Sequence, residues 1–559
     1  MKLDTINEKE SKESKESLLD HYCTPAEAME LFKKGGLFAV LDVREQEEFS
    51  RGHLLLSSSA PYSRLEFIVP VLVPSKTVPM VIFDSGEKDD PRAEKAIRLL
   101  GKMGYTQVKI LKGGLAAWQN AGYVVVEGSS CMAKGYAEIL EQEKDVPGYT
   151  PAEIDEQVAQ GRDVAFVDIR VPEEFTSMSL PEGINAPGCE SAYRLHDIAP
   201  NPDTLVVLNC AARTRSILFT QMLIDFGAPN PIASLKGGTM NWRKSGFELE
   251  HGIRKRIAPP SAEAHCLAKE RAGKMADAFG IEFIDADTFR KWQEEAEDNP
   301  LYIFDVRQPE EYEAGHLEGS RSAPGGQLTQ RSDEYASVRK ARFVLIDDTE
   351  VRAIITAYWL KQIDIPNVYV LKGGLGGSGL GREGLVSGPE PKPIPTPAFI
   401  NSITPENLSE MLSGMTPPLV MNVGYSDKHR QGHIPGSAWV PRGWLELAYK
   451  ANPDAGVVVL TSDCEAHAKL AAADAQEIWN KAEVFFLEGG TNAWKNAHLS
   501  MEKDMPVSFT AEDDIWYLIY MKPDAPLSAM EGFFDWKHEL GDQIISDGTF
   551  NFRLPKAKK

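Results

Sequence analysis

The chain states one structural plan four times, and that repetition limits what it can fold into. Each copy opens on a helix-start signal. Thr24-Pro25-Ala26-Glu27 and Thr150-Pro151-Ala152-Glu153 are capping boxes with proline at the first helical position, and Asp285-Ala286-Asp287-Thr288 and Thr404-Pro405-Glu406-Asn407 are looser versions. An apolar strand then runs into an acidic-x-basic turn at Leu41-Asp42-Val43-Arg44, Val167-Asp168-Ile169-Arg170 and Phe304-Asp305-Val306-Arg307; the fourth copy degrades to Met421-Asn422-Val423-Gly424. A Gly-His step follows at Gly52-His53, Gly315-His316 and Gly432-His433, whereas the second copy reads Leu180-Pro181-Glu182-Gly183. Next come the central apolar strands Val81-Ile82-Phe83, Val206-Val207-Leu208, Val344-Leu345-Ile346 and Val458-Val459-Leu460. Last is a strand entering a glycine pair: Gly113-Gly114, Gly237-Gly238, Gly373-Gly374 or Gly489-Gly490, followed in three copies by Trp118, Trp242 or Trp494.

The glycine pairs recur about every 120 residues, which predicts tandem domains rather than a solenoid of short repeats. Continuous apolar strands alternating with helix-like stretches such as 217–226 predict an α/β fold, each unit a parallel sheet covered on both faces with right-handed crossovers. The expected domains are residues 22–127, 149–250, 281–386 and 402–502, with a tail at 503–559. Residues 258–280 predict a helical connector, and the proline-rich stretch 387–397 an extended spacer between halves. The tail carries four aromatic residues between Phe509 and Tyr520, then Phe533, Phe534 and Trp536, so it is expected to pack on a domain.

A formal charge of −22 argues against a nucleic-acid partner, whose phosphates reward Lys and Arg. No apolar run is long enough to span a bilayer, and residues 1–16 lack the apolar core of a signal peptide, so the expectation is a cytoplasmic protein with no membrane partner. The six cysteines, Cys23, Cys131, Cys189, Cys210, Cys266 and Cys464, include no C-x-x-C pair and predict reduced thiols rather than a disulfide scaffold or zinc site.

One cysteine has a distinctive setting. Cys210 ends the central apolar strand of the second copy, and Ala211, Ala212, Arg213, Thr214, Arg215 and Ser216 lead from it into an apolar-periodic helix. A helix N-terminus and nearby arginines lower a cysteine pKa, and successive loop amides form an anion nest. Counting from the apolar run puts Ser85, Asp348 and Ser462 at the matching place of the other copies, where there is no thiol. Cys464 lies two residues beyond that place and is expected to be a non-catalytic thiol.

Together these features resemble the rhodanese family of sulfurtransferases. The residues that carry the resemblance are the Asp-x-Arg turns with Glu47-Glu48-Phe49, Glu173-Glu174-Phe175 and Glu310-Glu311-Tyr312, the Gly-His steps, the Gly-Gly-x-x-x-Trp ends and the Cys210 loop. The resemblance runs from about residue 22 to about residue 501 and is strongest to bacterial proteins of four tandem rhodanese domains. It implies five-stranded parallel sheets flanked by helices, with the active loop between the central strand and the next helix. It also implies a persulfide on Cys210: the thiolate takes the outer sulfur of a donor such as thiosulfate and passes it to a thiol or cyanide acceptor. Residues 211–216 would cradle that sulfur, with Arg213 and Arg215 meeting the donor's sulfonate. No metal and no cofactor is called for.

Four residues separate Cys210 from Arg215, one fewer than in cysteine phosphatases of this fold, which disfavours a phosphatase or arsenate reductase. A persulfide carrier without turnover, or an interaction scaffold, is the other reading. Arg213 stands where many family loops have glycine. The first unit is expected to pack on the second and shape the entrance to Cys210, and the third and fourth to dock a protein sulfur acceptor or hold a homodimer. His53, His316 and His433 are read as structural hydrogen-bonding groups.

Overall fold

The computed structural model describes residues 19–255, 257–377, 384–391, 399–517 and 527–556. Among the described residues, four parallel five-stranded sheets share one topology. In the first, strands β1 (Tyr22–Cys23), β2 (Ala39–Asp42), β3 (Ser58–Ser59), β4 (Met80–Phe83) and β5 (Val108–Leu111) lie in the order 1-5-4-2-3. The second repeats it with β6 (Gly148–Tyr149), β7 (Val164–Asp168), β8 (Ile184–Asn185), β9 (Leu205–Asn209) and β10 (Ile232–Leu235), and the third and fourth are built on central strands Arg342–Ile346 and Val457–Thr461. The helix-start signals do what their chemistry predicts. Thr24 and Thr150 close full capping boxes, and Asp285 and Thr404 accept from Thr288 N and Asn407 N.

The Asp-x-Arg turns share one geometry. Arg170 Nε donates to Asp168 at 2.9 Å, as Arg44 does to Asp42 and Arg307 to Asp305, so a buried carboxylate is paired inside its own turn. His53, His316 and His433 each bond through Nδ1 to the carbonyl four residues earlier and stack on Phe49, Tyr312 and His429.

Strand register corrects one sequence expectation. Asp168 pairs with Asn209, directly before Cys210, while Asp42 pairs with Phe83, Asp305 with Ile346 and Asn422 with Thr461. The residues at the Cys210 place are therefore Asp84, Asp347 and Ser462, not Ser85 and Asp348. The glycine turns agree, since a Cβ on Gly238, Gly114, Gly374 or Gly490 would collide with the carbonyl of Cys210, Asp84, Asp347 or Ser462. The slip arose because Asn209 is a polar residue inside a strand, where the first and third copies have Phe83 and Ile346; its Nδ2 is satisfied by Asp168 Oδ2 at 3.0 Å. Where the apolar run stops is thus not where the strand stops.

One continuous apolar core runs through the first three modules, and the fourth has its own. Modules two and three meet at Gly188 and Gly326, whose backbones approach too closely for a side chain on either. Modules one and four meet through Arg442, which bonds Glu66 at 2.7 Å and Asp474 at 2.8 Å. The third and fourth modules are thus spent, at least in part, on internal packing. The connector forms a helix, Ala262–Phe279, capped by Ser261. Only residues up to 391 of the spacer are described; its Pro393, Pro395 and Pro397 lie outside the described residues.

The tail folds back. Its helix Leu527–Asp547 packs along the linker helix Cys131–Lys144, burying Leu540 and Ile544. Gly135 permits the approach, because a Cβ there would stand 2.1 Å from Ile544 Cδ1.

Candidate functional site

β9 is buried along its whole length and delivers Cys210 at the C-terminal edge of the second sheet, where open α/β sheets bind ligands. The helix Thr214–Asp225 starts four residues later. Between them, Thr239 N donates to Cys210 O at 2.9 Å and Met240 N to Ala211 O at 3.0 Å. In a trans peptide the carbonyl and the next amide point opposite ways, so the amides of Ala211 and Ala212 face away from the glycine turn. First-turn amides of the helix have no intrahelical acceptor and carry the positive end of its dipole. Arg213 has φ −151°, outside the left-handed region, so a side chain there adds no strain.

Gly238, at φ +57°, is the residue that lets the loop close down. A Cβ there would stand 2.2 Å from Cys210 O and 2.7 Å from Ala212 O. Gly238→Ala is expected to destabilise the second module by at least about 1–2 kcal/mol, from the left-handed conformation alone. A thermal scan unchanged from the parent would refute this tight packing.

Cys210 is 2% exposed and borders the apolar core of its module, with one polar group beside its sulfur. Its thiol donates to Ser216 Oγ at 3.6 Å, and that hydroxyl donates to Arg213 O at 2.9 Å. The two arginines are committed to carboxylates. Arg215 makes a two-pronged pair with Glu174, both contacts 2.8 Å; burial opposes the Glu174 carboxylate, but Arg215 and Arg170 outweigh it and hold its pKa below the ordinary value. Arg92–Glu48 and Arg352–Glu311 repeat this pair in modules without the cysteine, so the Arg215 pair is part of the shared framework. Arg213 pairs with Glu138 at 3.0 Å and with Glu141, both from the linker helix, and donates to His538 Nε2 at 2.9 Å.

The C-terminal helix supplies the remaining group. Lys537 is buried, and its Nζ donates to Thr214 Oγ1 at 2.7 Å. Burial and the nearby Lys134 push its pKa down to about 7, while Glu138 and the Cys210 thiolate pull it up. Thus the linker helix and the C-terminal helix meet the Cys210 loop at Arg213 and Thr214. Sequence reasoning missed Glu138, Glu141, Lys537 and His538. The sole sign was a tail too apolar to trail free.

The other cysteines sit differently. Burial pushes Cys23 up to about 11 and Cys131 and Cys189 up to about 12. Cys266 and Cys464 are exposed, the latter at the N-terminal cap of the helix Glu465–Ile478. Among the described residues no group of three or more His, Cys, Asp or Glu is placed to hold a metal ion, and no helix is long and apolar enough to cross a membrane.

A thiosulfate sulfurtransferase from Pseudomonas aeruginosa, solved by crystallography, is 37% identical and superposes with a TM-score of 0.90, over 96% of this chain and 100% of that one. A sulfurtransferase of Allochromatium vinosum is 27% identical over 96 residues, 17% of this chain and 87% of its own length. The Bacillus subtilis uncharacterized protein YqhL is 36% identical over 72 residues, 13% of this chain, and only 56% of its own length is spanned. The model of the rhodanese-like domain matches residues 24–121, 150–245 and 285–377, and the fourth sheet has the same strand order. With about half of its length matched and four sheets of one topology, the chain belongs to the rhodanese family.

Proposed function

We propose that the protein moves a sulfane sulfur from an anionic donor such as thiosulfate to a thiol or cyanide acceptor, through a persulfide on Cys210. The observation that carries this is one cysteine, at the end of one central strand among four, set against a helix N-terminus with its thiol donating to Ser216 Oγ. The thiolate attacks the outer sulfur of thiosulfate, the S–S bond breaks, and sulfite leaves with the bonding pair. The loop amides then hold the persulfide anion, which the acceptor attacks in turn. The reaction needs reduced thiols, and all six cysteines are unpaired, in keeping with a reducing cytoplasm. The four residues between Cys210 and Arg215 continue to favour sulfur over phosphate.

A second reading, a persulfide carrier loaded by another protein, is favoured by the 2% exposure of Cys210. Intact mass after exposure to thiosulfate separates the readings. One added sulfur, absent in Cys210→Ser, supports loading from the small molecule. An unmodified parent protein would leave the carrier.

A further inference from the structure

We propose that Lys537, on the C-terminal helix and outside the rhodanese modules, is the cation that pairs with the Cys210 thiolate and afterwards with its persulfide. This rests on the sulfurtransferase reading and names the group that ionises its nucleophile.

The argument starts from the loop's own charges. Arg215 is held by Glu174 in a pair that recurs where no cysteine exists, and Arg213 is held by Glu138, Glu141 and His538. Both guanidinium groups thus have carboxylate partners. Lys537 reaches the same loop, anchored at 2.7 Å to Thr214 Oγ1 in the first turn of the helix that follows Cys210. It is sealed from water, so its field at the sulfur is little screened. An ammonium placed there lowers a thiol pKa as lysine neighbours do elsewhere.

The charged groups facing Lys537 are Lys134 and Glu138 from the linker helix and Cys210 and Arg213 from the loop. Because burial and Lys134 bring the amine to about 7, it can exist neutral near physiological pH. The Cys210 thiolate in turn favours the ammonium form of Lys537, so the two charges stabilise one another. Attack on thiosulfate forms the Cys210 S–S bond and releases sulfite, and the ammonium now faces the persulfide anion. Lys537 is a positioning residue in this scheme, since it acts through the charge on Cys210.

The test is the pH profile of Cys210 alkylation by iodoacetamide, read on the Cys210 peptide because Cys266 and Cys464 are exposed and react as well. In Lys537→Met the alkylation midpoint is expected to rise by about one pH unit or more, with a roughly tenfold slower reaction at pH 7. Lys537→Arg keeps the charge and is expected to keep the parent midpoint. The high-pH plateau reports access past the C-terminal helix, so a shift in plateau is separable from a shift in midpoint. An unchanged midpoint in Lys537→Met overturns the proposal whatever the plateau does, and Lys537→Gln serves the same comparison should the methionine variant not fold. Alkylation needs no turnover, so a protein that takes no sulfur from thiosulfate would sink the sulfurtransferase reading and leave this result standing.

Discussion

Cys210→Ser is expected to lower turnover of thiosulfate with cyanide by on the order of 10³-fold or more, a barrier increase above about 4 kcal/mol. A serine hydroxyl at that place stays protonated near neutrality and forms no persulfide, so the loop amides and Lys537 have nothing to act on. Rescue by another cysteine is not expected. Cys23, Cys131 and Cys189 are buried with raised pKa values, and Cys266 sits on the connector helix. Cys464 is exposed but lies two residues past Ser462, which holds the matching place in module four. Steady-state sulfite or thiocyanate release measures the effect. Activity within tenfold of the parent would mean the sulfur is carried elsewhere, and Cys464→Ser would then be the variant to make.

Arg352→Met carries the largest expected effect on stability. Arg352 is fully buried at the join of modules two and three. It bonds Glu190 at 2.9 Å, Glu311 at 2.7 Å and Asp348 at 2.6 Å, with Asp347 at 3.7 Å. Methionine fills much of the volume but leaves Asp347 a buried carboxylate without its cation and Glu190 with Arg194 alone. Breaking a buried ion network from one side costs about 3–5 kcal/mol, because the desolvation of the surviving charges is no longer compensated. Lysine cannot restore a fork that meets several carboxylates at once, so Arg352→Lys is expected to recover only part of the loss. Several modules unfold in this chain, so the readout is a downward shift of the first thermal transition rather than one global free energy. A transition unmoved by Arg352→Met would show that the network is not needed to join the modules.

Much of the architecture was legible before any coordinates. Helix caps at Thr24 and Thr150, the Asp-x-Arg turns and the glycine pairs are local devices, each fixed by chemistry within a few residues, and they fold as their residue types require. The position of Cys210 was equally local: an apolar strand ending at a thiol before a helix. The one-residue slip at Asp84 and Asp347 marks the limit of that reading. Hydrophobicity tells which residues are buried, whereas hydrogen-bond register tells which residues are neighbours, and Asn209 separates the two.

By itself the sequence determined four parallel α/β modules and one nucleophile, since periodicity and residue chemistry act over short stretches of chain. Only the tertiary structure decided what surrounds that nucleophile. The pairs Arg213–Glu138 and Lys537–Thr214 join segments far apart in the chain, and a contact between single residues leaves no periodic trace for a sequence to display.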